Sequence, residues 1–376
     1  MTTHRLNFFP LGNADCCRID LENGRQLLLD YAARCDPKDK GDLRCDLPKE
    51  LRADLDARDR DYYDVVGVTH LDDDHIHGSS EFFYLEHAQK YQSKGRIVIR
   101  ELWVPAAAII EEGAEDESRV IRQEACYRLK QGRGIRVFSR PDQLKEWLAG
   151  EGLSLADRQG LITDAGQTVP GWTLDEDGVE FFVHSPFASR LNNGTMVERN
   201  NDSLVLHATF LADNNITRVF LGADAEHEAL TDIVSITRAK KREERLDSDV
   251  VKIPHHSSYR SLGPDKGKEK TVPTEQIAYF YEKKLLWRAM LVSTSKPIPA
   301  YDSDDQPPHR QAANYYTERA QAQGGEYVVT MEHPKKSAPE TLVIEITGSK
   351  AKRKKMYLGG IGAAVSRPAP RAGHRD

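Results

Sequence analysis

The feature that most constrains the fold is a dense group of titratable residues directly after an apolar run. The stretch VVGVTHLDDDHIHG, residues 65–78, begins like a buried strand and then places three histidines and three aspartates between His70 and His77. Acids at a helix start gain about 0.3–1 kcal/mol each from the helix dipole, which would explain the aspartates but not the histidines. A solvated loop would not need to follow four apolar residues. Divalent metal ions accept both imidazole and carboxylate ligands, so the stretch favours a metal site at a strand end.

Further ligand types recur where other apolar runs end. Asp224 ends the run FLGAD, and His255 with His256 ends the run VKIPHH. A carboxylate and two imidazoles therefore follow predicted strands again. Ligands of open α/β sheets bind outside the strand ends, so we expect these side chains to meet the aspartate-rich stretch in one crevice.

The order of apolar runs and turns predicts an α/β protein built from two strand-rich halves. RLNFFPL, CCRIDL and QLLLDYA read as a meander of strands at the start of the chain. Ser79 or Ser80 can cap a predicted helix through EFFYLEHAQKYQ. Strand runs return at GVEFFVHSP and alternate with helices up to ETLVIEITG. This order suggests a β-sandwich with helices on its outer faces.

Two segments stand apart from this pattern. Residues 349–376 are rich in Lys, Arg, Gly, Ala and Pro, which predicts a basic, disordered tail after a domain spanning residues 1–348. Such a tail could touch nucleic acid or could simply be solvated. Residues 111–165 read as a helical insertion without obvious chemistry, and as the candidate surface for a protein partner.

The composition argues against a membrane protein and against a disulfide framework. The apolar runs are far shorter than the roughly 20 residues that cross a bilayer. The N-terminus MTTHRLNFFPLGNADCC lacks a basic region followed by an apolar core, so we expect no signal peptide and a cytoplasmic protein. The five cysteines include no CxxC pair, which predicts free thiols.

These runs together carry a resemblance to a known family. THLDDDHIHG resembles the H-x-D-x-D-H form of the metallo-β-lactamase fold signature, in which aspartate replaces the middle histidine of H-x-H-x-D-H. This form is similar to the hydrolase domain of the ComEC/Rec2 competence proteins, here in a standalone, soluble chain. FPLGNAD, LLLDYA, VHSP, NNDSLVL, LGADAEHEA and VKIPHHSS resemble that family's other motifs in the same order. The resemblance covers residues 5–347.

Three positions depart from the family pattern. His77 occupies one place of a glycine pair, Ser257 replaces the glycine of H-H-G-S, and Ala223 separates a glycine and an aspartate that the family often has adjacent. The sequence has no counterpart of the competence proteins' membrane channel, so the resemblance does not imply DNA uptake.

The resemblance implies an αβ/βα sandwich, with two mixed sheets flanked by helices and a metal site in a cleft along one edge. By motif position, His70 and Asp72 would hold one divalent ion, Asp74 and His75 another, and Asp224 would bridge them. One or two ions are expected. The carboxylate of Asp72 hardens the site, so Mn is the first expectation, with Zn and Mg as alternatives.

The remaining site residues are also assigned through the resemblance. His255 or His256 would complete the ligands of the second ion, and the sequence does not choose between them. Asp74 would accept the proton of the attacking water. Candidates to contact the scissile phosphate or its leaving group are His184, Asn200, Asn201 and His309.

Three functions are compatible with these residues. The first is a metal-dependent phosphodiesterase or nuclease acting on DNA or another nucleotide, which suits the aspartate-rich site and the basic tail. The second is hydrolysis of a lactam, ester or lactone, because one fold supports several chemistries. The third is a partner-bound component of a multi-gene system, such as phage defence, with a structural or vestigial site.

Overall fold

The computed structural model describes residues 2–193, 197–301 and 306–354. Its strands are β1 His4–Phe8, β2 Cys17–Asp20, β3 Gln26–Leu29, β4 Tyr62–Gly67, β5 Phe83–Tyr84, β6 Ile97–Pro105, β7 Ile135–Phe138, β8 Ile162–Thr163, β9 Val179–Ser185, β10 Val205–Ala212, β11 Asn215–Leu221, β12 Ser248–Lys252, β13 Leu285–Ser293, β14 Glu326–Val329, β15 Pro334–Lys335, β16 Ala338–Pro339, β17 Leu342–Thr347 and β18 Lys350–Arg353. Its α-helices are α1 Leu47–Ala57, α2 Asp73–Ile76, α3 Ser79–Phe82, α4 Ala107–Ile110, α5 Asp116–Gln131, α6 Asp142–Gly150, α7 Leu155–Arg158, α8 Leu174–Asp177, α9 Ala188–Asn193, α10 His227–Ala239, α11 Glu275–Tyr279 and α12 Arg310–Ala322.

The strands form two large mixed sheets. The first has the order β18-β17-β1-β2-β3-β4-β6-β7-β8, with β5 paired to β6. It is antiparallel from β18 to β3 and parallel from β3 onward. The second has the order β14-β13-β12-β11-β10-β9, parallel from β14 to β11 and antiparallel beyond. In each sheet, the parallel strands have their carboxyl ends at the same edge. The predicted site residues follow directly after these ends.

Three apolar clusters show how the layers pack. Between the sheets lie Leu6, Ile19, Phe181, Phe210 and Val292 with their neighbours. On the outer face of the first sheet, α1 and α5 bury Leu51, Leu55, Val120 and Ile121. On the outer face of the second, α10 and α12 bury Ile233, Val234 and Tyr316 against Phe220 and Val251. The predicted sandwich of two sheets with helices on its outer faces is confirmed.

Close packing of β3 and β4 places the strand end that leads into the aspartate-rich turn. Leu29 pairs with Gly67 in parallel register. A β carbon on Gly67 would lie 2.6 Å from Cδ2 of Leu29, so the glycine within VVGVTH allows this approach. β4, the buried strand that the sequence predicted, therefore lies close against β3 at the point where it leads into the aspartate-rich turn.

The helix predicted after Ser79 or Ser80 is much shorter than the sequence suggested. α3 ends at Phe82, and Phe83 and Tyr84 then pair with β6 as strand β5. Arg96 replaces the missing helical hydrogen bonds, because its Nη1 donates to the carbonyl oxygens of Ser80 and Phe83. A tertiary contact thus outweighs the local helix pattern.

The segment 111–165 is not an insertion on the surface. It contributes β7, which is buried and pairs in parallel with β6, and α5, whose apolar side chains belong to the core of the first sheet. The helical pattern of this segment concealed the short run IRVF, whose four residues are all buried. Its proposed role as a partner surface is limited accordingly to its exposed helix faces.

The boundary of the basic tail also differs from the expectation. Residues Lys350–Arg353 form β18, which pairs with β17 at the edge of the first sheet. The rest of the predicted tail, residues 355–376, lies outside the described residues. All five cysteines are free thiols. None of the helices in the described ranges is both long and apolar enough to cross a membrane.

Candidate metal centre

The aspartate-rich turn is held by backbone hydrogen bonds from two segments of the first sheet. The amide of Tyr31 donates to the carbonyl of His75 at 2.9 Å, and the amide of Ala33 donates to that of His77 at 3.0 Å. The amide of Asp15 donates to the carbonyl of Asp74 at 2.9 Å. The turn is therefore fixed against the strands that precede it, and its side chains have defined directions.

Four of the predicted ligands converge on one point, which we call the ligand group. It consists of Asp74, His75, Asp224 and His256, whose donor atoms all lie within 4.8 Å of one another. Nε2 of His256 lies 3.0 Å from Oδ2 of Asp74 and 3.3 Å from Oδ2 of Asp224. Nε2 of His75 lies 3.3 Å from Oδ1 of Asp224. The group spans the two sheets, because α2 follows β4 while Asp224 and His256 follow β11 and β12.

The geometry distinguishes the two consecutive histidines. His256 is fully buried, and its Nδ1 lies 2.7 Å from the carbonyl of Thr294, which directs Nε2 toward the carboxylates. The side chain of His255 is 18% exposed, and its Nδ1 lies 3.5 Å from Oε1 of Glu226. The sequence left this choice open, and the structure places His256 in the ligand group and His255 at its rim.

The turn that carries these histidines has an unusual backbone. His255, His256 and Ser257 have φ values of +48°, +50° and +63°, in the left-handed region that favours glycine. Oγ of Ser257 is within hydrogen-bond distance of the hydroxyls of Ser293, at 2.8 Å, and Tyr327, at 2.7 Å. Ser257 therefore adopts a conformation that favours glycine, and its hydroxyl contacts hold it there.

A second layer of charged residues lies behind the ligand group, and the sequence analysis gave none of its members a role. Oδ2 of Asp30 lies 2.9 Å from Nδ1 of His75. Lys252 forms an ion pair with Asp15, and its Nζ lies 3.4 Å from Oδ1 of Asp224. A carboxylate directly after an apolar run, as in LLLD, and a lysine inside one, as in VVK, were signals that could have identified Asp30 and Lys252.

Several imidazole nitrogens in and beside the ligand group are buried without a well-formed hydrogen bond. Among the described residues, Nε2 of His70, Nε2 of His75 and Nδ1 of His255 are buried and make no hydrogen bond of good geometry, although each lies 3.3–3.5 Å from a carboxylate oxygen. The rings of His70 and His75 are 4.0 Å apart. Buried nitrogens normally find partners, and imidazole lone pairs facing carboxylates form a donor set that fits a divalent cation. His70 therefore belongs beside the ligand group, as the sequence predicted.

The electrostatics of the ligand group fit the same conclusion. Burial would raise the pKa of Asp224, but the charges of His256, His75 and Lys252 hold it well below its usual value. Burial would likewise lower the pKa of His256, but Asp224 and Asp74 raise it to about 10. Protons on the histidines thus balance the carboxylates in the protein alone, and a bound divalent ion would take their place.

Asp72 has a different partner from the other aspartates. Its Oδ1 accepts a hydrogen bond of 2.9 Å from Nη1 of Arg199, and its Oδ2 lies 3.4 Å from Nε2 of His70. Arg199 in turn pairs with Glu111. Burial opposes ionisation of Asp72, but His70 and Arg199 lower its pKa to about 2. Arg199 lies in a segment that the sequence analysis noted only for its asparagines, and it orients a predicted ligand.

His184 does not reach the site. Its Nε2 lies 2.9 Å from the carbonyl of Arg245, and its ring lies 5.0 Å from Phe182 and 5.6 Å from Phe220. Burial lowers its pKa to about 4. Side chains alternate along a strand, and because Val183 points between the sheets, His184 points to the helical layer. His184 thus lies in the helical layer and is not among the described residues that line the cleft beside the ligand group.

The other candidate substrate residues differ in how they contact the surroundings of the ligand group. Asn200 donates from Nδ2 to Oε1 of Glu226 at 3.4 Å, and Glu226 also faces His255, so Asn200 lies at the rim. Nδ2 of Asn201 donates to Glu198 at 3.2 Å, and no contact recorded in the described ranges links it to a ligand. The backbone amide of His309 donates to the carbonyl of Ser257 at 3.1 Å, which places it beside the histidine turn.

An open cleft of about 580 Å³ leads from solvent to the ligand group. Asp74, whose side chain is 25% exposed, lines it together with His255 and His256. The rest of the wall comes from the loop after β1, the segment after β3, and the residues after β13. Its lining residues are Leu11, Gly12, Asn13, Arg34, Arg44, Lys296, Gln306, Pro307 and Met331.

No protein-family model matches the chain, and no curated protein matches it. Among solved structures, the chain is similar to a new diphosphatase from the PhnP family, with 9% sequence identity and a TM-score of 0.37. The alignment covers 92% of this chain and 97% of that one.

Proposed function

We propose that the protein is a metal-dependent phosphodiesterase or nuclease. The observation that carries the proposal is the convergence of Asp74, His75, Asp224 and His256 beside an open cleft that also presents arginine and lysine side chains. The carboxylates and imidazoles suit a divalent ion, and the cations of the cleft suit an anionic substrate. A phosphodiester satisfies both requirements.

The chain's own residues divide into those that hold an ion and those that position them. Asp74, His75, Asp224 and His256 would hold it, and His70 with Asp72 would supply further ligands if a second ion binds. A bound divalent ion supplies a water of lowered pKa and offsets charge in the transition state. Asp30 orients His75 by accepting from Nδ1, which leaves Nε2 directed at the ligand group.

Asp74 has the properties of the residue that takes the proton from the attacking water. It is the carboxylate of the ligand group that lines the cleft, so a water there can reach it. Burial raises its pKa, but the hydrogen bond from His256 and the charge of His75 lower it well below its usual value. Asp74 is therefore ionised at neutral pH, as a residue that accepts a proton must be before the transfer.

The test is a hydrolysis assay with defined metals and substrates. Purified protein is loaded with Mn, Mg or Zn and incubated with bis(p-nitrophenyl) phosphate, linear, circular and single-stranded DNA, RNA and cyclic nucleotides. A lactone, an ester and a lactam serve as competing substrates. We expect metal-dependent hydrolysis of phosphodiesters, and elemental analysis should find the metal bound.

Two aspartates of the same turn provide matched variants. Asp74→Asn should abolish hydrolysis, whereas Asp73→Asn should retain it, because Asp73 is exposed and lies outside the ligand group. Hydrolysis of the lactone or lactam without cleavage of any phosphodiester would replace this proposal with the second chemistry. Full activity in Asp74→Asn would contradict the proposed catalytic site.

A further inference from the structure

The cleft beside the ligand group carries three cations on separate segments of the chain. They are Arg34 after β3, Arg44 before α1 and Lys296 after β13, and all three line the cleft together with Asp74 and His256. We infer that these cations bind a second phosphate of the substrate, adjacent to the scissile one. The inference rests on the proposed function and specifies its substrate as a nucleotide chain or a phosphorylated dinucleotide.

Gly12 brings two of the cations together. It has φ of +80°, and a β carbon at this position would lie 3.5 Å from Cδ of Arg44 and 3.8 Å from Cγ of Lys296. The side chains of Arg44 and Lys296 therefore both approach a buried residue that has no side chain. Two cations from distant parts of the sequence thus come close to one glycine at the wall of the cleft.

Asn13 fixes the same wall. Its Oδ1 accepts from the backbone amide of Lys296 at 3.0 Å, and its Nδ2 donates to the carbonyl of Pro307 at 2.5 Å. These bonds join the loop after β1 to the two segments that follow β13. The hydrogen bond to Asn13 thus fixes the backbone of Lys296, while the side chain of Lys296 lines the cleft.

The arginines are positioned by the turn and by a carboxylate. Arg34 directly follows Ala33, whose amide donates to His77, so it is attached to the aspartate-rich turn itself. Arg44 donates from Nε and Nη2 to Asp42, and no hydrogen bond within the described ranges uses its Nη1. Asp42 thus orders the guanidinium, which in turn can present its remaining donors to an anion.

Two of the three cations have acidic partners, and Lys296 has none recorded among the described residues. The acids nearest to these cations are Asp42, paired with Arg44, and Asp73, whose Oδ2 lies 3.5 Å from Nη2 of Arg34. Lys296 is exposed and adds a further positive charge at the mouth. Planar guanidinium groups and a lysine ammonium group are the side chains that bind phosphate oxygens.

The experiment compares dinucleotides that differ only in a terminal phosphate. The kcat/KM of the Mn-loaded enzyme is measured for thymidine dinucleotide without a terminal phosphate, and with one at the 5′ or at the 3′ end. We expect one phosphorylated form to be cleaved roughly tenfold better, the size of one charged hydrogen bond. The preference should weaken as salt is raised.

Variants assign the preference to the cleft. Lys296→Ala and Arg34→Ala should reduce the ratio of kcat/KM between the phosphorylated and unphosphorylated substrates roughly tenfold. Lys240→Ala, an exposed lysine at the far end of α10, is the matched control and should leave the ratio unchanged. Equal cleavage of all three dinucleotides by the unaltered enzyme would overturn the inference and leave the proposed function intact.

A binding measurement separates failure of this inference from failure of the proposed function. Calorimetry in the non-cleaving Asp74→Asn background should show that Lys296→Ala weakens binding of the preferred phosphorylated dinucleotide roughly tenfold. The result does not depend on turnover, so it applies even if no dinucleotide is hydrolysed. Unchanged affinity in the double variant would exclude a phosphate site at these cations.

Discussion

Two regions of the molecule bury charged side chains, and they use them differently. At the Glu124 cluster, formed by Glu124, Arg128 and His87, the carboxylate of Glu124 accepts four hydrogen bonds. They come from the amides of Glu86 and His87, from Nδ1 of His87 and from Nε of Arg128, at 2.6–3.0 Å. At the ligand group, by contrast, Nε2 of His75 faces Oδ1 of Asp224 at 3.3 Å without a well-formed hydrogen bond, and carboxylates and imidazoles from both sheets converge on one point.

The difference shows which property of a buried charge points to function. Both regions shift pKa values strongly: His87 and Arg128 outweigh burial and lower the pKa of Glu124 to about 2, and the acids of the ligand group are shifted in the same direction. A shifted pKa therefore does not separate them, since structural ion-pair networks also perturb titration. What separates them is that the carboxylate of Glu124 is saturated with donors, whereas the ligand group brings the donor atoms of two carboxylates and two imidazoles within 4.8 Å of one another beside an open cleft.

The largest expected effect is the loss of the ligand that joins the two sheets. Asp224→Asn should reduce hydrolysis by more than the roughly 100-fold that loss of an outer-shell partner costs, because it removes a direct metal donor. Elemental analysis and kcat measurement provide the readouts. Glu124→Gln, an equivalent change in the saturated cluster, should keep the bound metal; if it also lost the metal, the distinction between the two regions would fail.

Arg128→Met should give the largest loss of stability. It leaves the carboxylate of Glu124 buried without its cationic partner, which costs about 3–5 kcal/mol of unfolding free energy. Urea denaturation followed by circular dichroism measures this loss. The double variant Glu124→Leu with Arg128→Met should recover much of it, because a buried ion pair can be replaced by apolar side chains. A double variant less stable than the single one would contradict this account.

Most of the fold could be predicted from the sequence because its signal is repetitive. Apolar runs such as VVGVTH and SDVVK alternate with turns, and their order predicts the two sheets and the outer helices. What failed was short and depended on distant partners. β7 has only four residues inside a helical segment, and α3 ends early because Arg96, far along the chain, satisfies its carbonyls. Neither the short strand β7 nor the early end of α3 produces a recognisable pattern in the local sequence.

The site was predictable where ligand types stand at strand ends. His70, Asp74, His75, Asp224 and His256 were all named in advance, and the structure brings them together. The choice of His256 over His255 depended on the backbone of one turn, and the position of His184 in the helical layer depended on which face of β9 it occupies. Strand-end position alone does not determine the direction of a side chain.

Acid should weaken the Glu124 cluster in a defined pH range. The pKa of Glu124 is depressed from 4.5 to about 2 in the folded protein, so its contribution is complete above pH 4.5 and is lost as the pH falls toward 2. The contribution amounts to at most about 3 kcal/mol, from 1.36 kcal/mol for each pKa unit. Urea denaturation between these pH values should show a steeper loss of stability than in Glu124→Gln. Parallel curves would mean that Glu124 is not depressed.

The smallest expected effect comes from the residue that orients a ligand. Asp30 accepts from the amide and hydroxyl of Thr69, at 2.7 and 2.8 Å, and from Nδ1 of His75 at 2.9 Å. Its φ of +59° is a conformation that asparagine tolerates, so Asp30→Asn should fold normally.

Asp30→Asn should weaken metal binding by about 10- to 100-fold, because an amide orients His75 less firmly and makes it a poorer donor. Titration with Mn, followed by calorimetry, measures the change. Asp64→Asn is the matched control, since Asp64 accepts from the amide of Gln26 at the opposite end of β3. Equal weakening in both variants would mean that the sheet as a whole had loosened. No weakening in Asp30→Asn would assign Asp30 to structure alone, and the ligand group would then owe its geometry to the turn that carries it.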